Sequence, residues 1–188
     1  MAVTKLDPKT ALLVIDLQKG IVGLPTAHPT DKVVKLARQA IDAFRRHHLP
    51  IVLVNVAGGA PGRTDSQPPN LADFPPNWID LVPELNRQPA DHVVTKHTWG
   101  AFTNTGLDEH LKKLGVTQVV ILGVATSIGV ESTARHANEN GFHVTLAIDA
   151  MTDMNADAHT NSITRIFPRL GETGTTQEII DLLNTRPA

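Results

Sequence analysis

Residues 117–137 read TQVVILGVATSIGVESTARHA, and the character of the chain changes twice within them. Thr117 to Val124 is a nearly unbroken apolar run rich in β-branched residues, the pattern of a strand buried on both faces of a parallel sheet. Ala125, Thr126, Ser127 and Gly129 make a small-residue turn, and Ser127 to Asn140 reads as a helix with Gly141 as its stop. A buried strand running straight into a helix is half of a βαβ unit, so the question becomes whether the rest of the chain supplies more of them.

It does. Ala11 to Asp16 (ALLVID) and Ile51 to Val56 (IVLVNV) are two further buried strands. Between them Val33, Val34, Leu36, Ala37, Ala40, Ile41 and Phe44 recur at helical spacing over Thr30 to His48, with Thr30 or Asp31 as N-cap. His92 to Lys96 and Phe142 to Ile148 add two strands, and Glu172 to Gly174 reads as a short edge strand. Thr105 to Leu114, closed by Gly115, is the helix that precedes Thr117. Asp157 to Phe167 and Thr176 to Leu183 are the last helices, the second opening on a capping-box-like Thr175, Thr176 and Glu178. Right-handed crossovers then place helices on both faces of a mostly parallel sheet of about six strands. The expected fold is α/β, a three-layer α/β/α sandwich of Rossmann-like type, formed as one domain by residues 1–188.

One stretch breaks the alternation. Residues 57–83 hold Gly58, Gly59, Pro61, Gly62, Pro68, Pro69, Pro75, Pro76 and Pro83, too many breakers for a helix or a central strand. Long loops in small domains are commonly lids or binding loops, and Phe74 and Trp78 argue against a plain linker, so a lid or a subunit contact is expected. Seventeen Lys and Arg stand against nineteen Asp and Glu with no basic run, which argues against nucleic acid as a partner. No apolar run approaches the ~20 residues of a membrane span. No apolar leader precedes Ala11, and a cytoplasmic protein without a membrane partner is expected. The chain has no cysteine, which removes disulfides, thiolate metal sites and sulfur nucleophiles.

In such sheets ligands bind beyond the carboxyl ends of the strands, here just after Ile15, Val56, Thr95, Val124 and Ile148. Asp16 ends a buried strand, where a carboxylate needs a partner, though a structural Asp capping a turn fits the run equally well. Lys96, His97, Thr98, Trp99, Gly100, Ala101 and Phe102 follow the third strand, an ammonium beside aromatic surface; a solvated Lys is the plainer reading. The turn at Ala125 and Thr126 leads into a helix whose first amides could receive an anion or a developing oxyanion, and close packing alone would also explain its small residues. No GxGxxG or GxxxxGK[ST] motif is present, and no cofactor is expected.

Taken together, these segments resemble the isochorismatase-like hydrolase superfamily. Its Asp-x-Gln at the end of the first strand is similar to Asp16, Leu17 and Gln18, and its Lys-x-x-x-x-Ala-Phe is similar to Lys96 through Ala101 and Phe102. Its fourth-strand signature is similar to Gly123 through Ala137, with Thr126, Val130, Thr133, Ala134, Arg135 and Ala137 in place. The resemblance runs in order from about residue 11 to about residue 183. It implies a hydrolase of small molecules that forms dimers or tetramers, with Asp16, Lys96 and position 129 at the catalytic centre. Most of the family has its nucleophilic cysteine at that last position; here it is Gly129, and Ser127 and Ser132 lie at helical positions that point elsewhere.

True isochorismatases also lack that cysteine, and their local pattern is similar to Ser127, Ile128 and Gly129. The resemblance to that branch implies cleavage of a vinyl ether in a carboxylated substrate, with Asp16 as general acid and Lys96 tuning its charge or binding the carboxylate. Gln18, Arg63, Trp99, Phe102, Ala125 and Thr126 are the expected substrate-binding residues: Arg63 as a bidentate clamp, the two aromatics as pocket walls, with core packing equally good for Phe102. The metal of nicotinamidase-like members rests on histidines after the second strand; residues 51–91 contain none, so no metal is expected. An inactive member kept as a small-molecule binding module is the alternative that Gly129 raises. His97 is the histidine nearest the expected site, and Glu131 and Arg135, four apart on a helix, are read as a structural pair.

Overall fold

The computed structural model describes residues 3–66 and 73–185. Six strands form one all-parallel sheet in the order β3-β2-β1-β4-β5-β6. The strands are β1 (Thr10–Ile15), β2 (Ile51–Val56), β3 (His92–Lys96), β4 (Gln118–Val124), β5 (His143–Thr152) and β6 (Glu172–Gly174). The helices are α1 (Lys19–Val22), α2 (Thr30–Arg46), α3 (Leu107–Lys113), α4 (Glu131–Glu139), α5 (Ala156–Asn161), α6 (Phe167–Leu170) and α7 (Thr176–Asn184). Two wide turns with π-type bonding, Thr126–Val130 and Ser162–Ile166, lead into α4 and α6.

Burial on both sides explains the apolar runs. Every residue of β1 and of β4 is buried. Alternate residues feed two cores: Leu12, Val14, Leu53 and Leu122 meet Ile41 and Phe44 of α2 and Ile179 of α7. Leu13, Ile15, Val54 and Ile121 meet Leu107 and Leu111 of α3, Ala134 of α4 and Phe167 of α6. Each such fully buried Leu, Ile or Phe contributes about 1.5–3 kcal/mol by leaving water. Among the described residues no helix is long and apolar enough to cross a membrane.

The differences from expectation lie where side chains or irregular backbone decide. α2 begins at Thr30 itself without a side-chain cap, and the Thr30 hydroxyl donates instead to Val22 O at 2.7 Å, tying α1 to α2. The capping box at Thr175 is complete, with Glu178 N reaching Thr175 Oγ1 and Glu178 Oε2 accepting from Thr175 N. β5 does not stop at Ile148. Beside β4 it slips register, β4 advancing from Ile121 to Gly123 while β5 advances from Leu146 to Met151, and pairing then resumes to Thr152.

In the proline-rich segment, residues 67–72 lie outside the described residues, including Pro68 and Pro69. Its second half is strapped to the end of β1: Leu81 bridges to Gln18, and Trp78 O accepts from Gly20 N at 2.9 Å. Phe74 and Trp78 lie ring against ring, with centroids 4.9 Å apart.

Candidate active site

β1, β3 and β4 deliver three groups to one point. Ile15 and Lys96 face the layer of α3 and α4, so continued extended backbone would send residue 16 to the opposite face. Asp16 instead takes φ of 52°, a left-handed conformation that Asp tolerates better than most residues, and its carboxylate meets the Lys96 ammonium at 2.7 Å. Both are buried, Lys96 to 2 % and Asp16 to 5 % exposure. The remaining ammonium protons have acceptors too, Trp99 O at 2.9 Å and Thr98 O at 3.3 Å. Lys96 is thus a fixed positive charge, and the expectation that it grips a substrate carboxylate meets an ammonium already supplied with three acceptors.

Burial pushes the Asp16 carboxyl up to about 6, prevailing over the Lys96 charge and hydrogen bond that pull it down. Its Oδ1 is buried without a hydrogen-bond partner among the described residues. Position 129 completes the arrangement. A Cβ built on Gly129 would lie 3.1 Å from Asp16 Oδ2 and 3.1 Å from Ile15 Cγ2. The missing side chain therefore leaves its space directly against the carboxyl. Within β4, by contrast, Gly123 admits only glycine: its φ is 123°, and a Cβ there would stand 2.1 Å from Ile15 O.

The turn after β4 follows a cis Val124–Ala125 peptide. Ile128 N and Val130 N both donate to Ala125 O at 3.1 Å, and Ser127 N donates to Asp153 Oδ2 at 2.7 Å. The Ser127 amide, expected to be open to an anion, is taken by the protein's own carboxylate. Thr126 is fully buried and its hydroxyl lies 2.8 Å from His159 Nδ1, so the side chain expected at the substrate is committed to that imidazole. Burial and then the nearby His28 push His159 below its usual range, against an upward pull from Asp153.

The other expected contacts fall as follows. Gln18 is fully buried and braces the rim: Oε1 accepts from Val56 N at 2.7 Å, and Nε2 donates to Val56 O at 3.0 Å and to Trp78 O at 3.2 Å. That amide has no proton left for a ligand. Phe102 packs into the core on the α3 side, its ring centroid 6.0 Å from that of Phe142, so the core reading of this residue holds. Trp99 holds Lys96 through its backbone while its indole is 64 % exposed over a hollow of about 330 Å³ shared with Ala60, Ser132 and Arg135. Arg63 is exposed on the loop three residues beyond Ala60. His97 is exposed, its Nδ1 2.8 Å from where a Gly58 side chain would begin. Arg135 does pair with Glu131, at 2.8 Å. Among the described residues no three His, Asp or Glu side chains converge as a metal would require. Asp153 was not anticipated, and Thr133 was noted only as part of the fourth-strand signature; the Asn155 N-cap just beyond β5 was the available signal that the strand ran on past Ile148.

The family model for the isochorismatase domain matches residues 10–178. The chain belongs to the isochorismatase family. It is 40 % identical over 179 residues to the uncharacterized family protein YwoC of Bacillus subtilis, covering 92 % of this chain and 93 % of that protein. A nicotinamidase of Arabidopsis thaliana is 30 % identical over 177 residues, covering 82 % of this chain and 80 % of that one. Among solved structures, an isochorismatase family protein from Burkholderia thailandensis superposes with a TM-score of 0.90 at 43 % identity, covering 96 % and 98 % of the two chains. The chain is accordingly an isochorismatase-like hydrolase with a six-stranded parallel sheet.

Proposed function

We propose that this hydrolase cleaves a small, carboxylated molecule without a covalent intermediate, Asp16 serving as the general acid. The observation that carries this is the state of Asp16: a buried carboxyl raised to about 6, with Oδ2 on Lys96 and 3.1 Å from where a side chain at position 129 would begin, and Oδ1 without a partner among the described residues. A carboxyl of that pKa keeps roughly a tenth of its protonated form at pH 7, far more than an ordinary Asp, and loses its proton readily, the compromise general acid catalysis needs.

The bond that suits such a site is a vinyl ether, as in isochorismate. Protonated Asp16 delivers its proton to the enol-ether carbon, leaving an oxocarbenium carbon. Water adds there, and the resulting hemiketal expels the alcohol to leave a carbonyl. Lys96 then holds the Asp16 carboxylate until it is reprotonated. Because the Lys96 protons are engaged, the substrate carboxylate falls to Arg63, whose planar guanidinium can meet it with two hydrogen bonds.

Gly129 also favours a second reading, a member that binds its ligand and turns nothing over. Both are tested by incubating the purified protein with isochorismate and with a panel of amides that includes nicotinamide, Asp16→Ala serving as control. Cleavage of isochorismate that disappears in Asp16→Ala supports the acid mechanism. Absence of turnover on every compound, together with a thermal shift produced by isochorismate, replaces it with the binding module.

A further inference from the structure

The chemistry above leaves a second buried carboxylate unused. Asp153, 2 % exposed, is the first residue beyond β5. The register slip puts it there. The extra residues of β5 carry Asp149 out to α7, where its Oδ1 accepts from Thr176 N at 2.7 Å and Thr176 Oγ1 at 2.8 Å, before Thr152 returns to pair with Val124. Asp153 thus ends beside the turn that follows Val124. Its Oδ2 accepts from Ser127 N at 2.7 Å and Ser127 Oγ at 2.8 Å, and its Oδ1 accepts from Asn155 N at 3.0 Å. Among the described residues no Lys or Arg pairs with it; His159, whose ring its charge influences, is the titratable group nearby, with the His28 ring tilted against it at a centroid distance of 4.8 Å. A buried carboxylate satisfied by donors alone is held most strongly at the positive end of a helical run, and the turn with α4 makes such a run from Thr126 to Glu139.

The turn has a second anchor on its far side. Gly129 O accepts from Thr133 Oγ1 at 2.7 Å, and the same hydroxyl oxygen accepts from Ala101 N at 3.1 Å. Ala101 belongs to the segment whose Trp99 and Thr98 carbonyls hold Lys96. The bonds therefore run from Asp153 through Ser127, Gly129, Thr133 and Ala101 to Lys96 and back to Asp16.

We infer that Asp153 is a positioning residue of this site: by gripping both the amide and the hydroxyl of Ser127 it sets where Gly129 stands against Asp16, and it takes the pole of the helix that a substrate anion would otherwise occupy. The location of the site follows the reading above, but the test needs no substrate. Since the chain has no cysteine, Gly129→Cys provides a single thiol reporter at the position in question. Iodoacetamide alkylation is followed against pH in that variant alone and with Asp153→Asn or Ser127→Ala added, and amide hydrogen exchange of residues 126–130 is followed in Asp153→Ala, Asp153→Asn and Ser127→Ala of the otherwise unaltered chain.

Asp153→Asn keeps an acceptor and drops the charge, so the thiol should titrate at lower pH while exchange in the turn stays close to that of the parent. Asp153→Ala should speed exchange at 127–130 by roughly tenfold, the scale of a lost charge-assisted hydrogen bond, with β1 and β4 unchanged. Ser127→Ala, which removes only the hydroxyl bond, should give a smaller rise and serves if Asp153→Ala does not fold. A thiol midpoint that ignores Asp153→Asn, or turn exchange that is unchanged or rises only in step with β1 and β4, overturns the inference. On any substrate later found to be turned over, Asp153→Asn should lower kcat more than it raises KM. A wrong choice of substrate leaves the thiol and exchange results standing.

Discussion

Acidification should stabilise this protein through Asp16, contrary to the usual behaviour of an ion-paired carboxylate. The carboxyl titrates near 6 when folded, against an ordinary value of 3.8, so between those two pH values the folded state binds the additional proton. Stability contributed by this group is complete below about 3.8 and is lost as the pH rises through about 6. The two-unit difference corresponds to about 3 kcal/mol, a fair conversion for a side chain so little exposed. The experiment compares urea unfolding of the parent and Asp16→Asn from pH 3.5 to 7.5. Lys96 retains the carbonyls of Thr98 and Trp99 in the variant, so its ammonium stays hydrogen-bonded. The difference in unfolding free energy should change by about 3 kcal/mol across the range, nearly all of it between the folded and unfolded values and half of it by about pH 5, the parent gaining on the variant as the pH falls. If the difference is flat from pH 4 to 7, or bends near 4 in the opposite sense, the ion pair rather than burial governs Asp16, and its role as an acid near neutrality falls with it.

Three further outcomes follow from local geometry. His92 stacks on His110 with centroids 3.8 Å apart, and burial followed by the His110 charge pushes its pKa below the usual value, so stability should fall as the pH drops below 6.5; His92→Phe should flatten that dependence in thermal melts at pH 5 and 7. Thr175→Ala opens the capping box of α7 and should cost about 1 kcal/mol in a urea titration, with α2, which packs on α7, losing protection only where the two meet. Gln18→Ala strips Val56 N of its acceptor and leaves Trp78 O short of a donor, a loss of about 3 kcal/mol, and tryptophan fluorescence should report Trp78 coming away from β1.

What the sequence made legible was whatever follows from burial on two faces. β1, β2 and β4 are continuous apolar runs because helices cover both sides, and α2 shows its period because one stripe of it meets the sheet. The rule that such sheets work at their carboxyl ends then brought out Asp16, Lys96 and the turn at 125–129, which the structure places together. Side-chain direction was not legible. Thr126 and Phe102 sit in the expected segments, but one turns to His159 and the other into the core, and nothing local distinguishes these rotamers from pocket-lining ones. Asp153 was missed for a different reason. Asp149 interrupts the apolar run of β5 where the strand slips register, so the run ends in the sequence before the strand ends in space.

The two carboxylates that flank the turn explain why one is chemistry and the other scaffold. Asp153 has three donors on its two oxygens and is finished as a hydrogen-bonding group; a fourth partner would gain little. Among the described residues the Asp16 carboxyl has a single donor, Lys96, and an oxygen left without one, a condition that costs free energy in a buried place and that a ligand able to share a proton relieves. Gly129 decides what that ligand is. A cysteine at that position would set its Cβ within about 3.1 Å of Asp16 Oδ2, filling the space with a thiol for Asp16 to deprotonate. On the function proposed above, glycine leaves that space to the substrate, and Asp16 acts as an acid toward carbon rather than as a base toward sulfur. On that proposal the same Asp-Lys pair serves either chemistry according to one side chain, and the rest of the turn, held from behind by Asp153, need not differ between them.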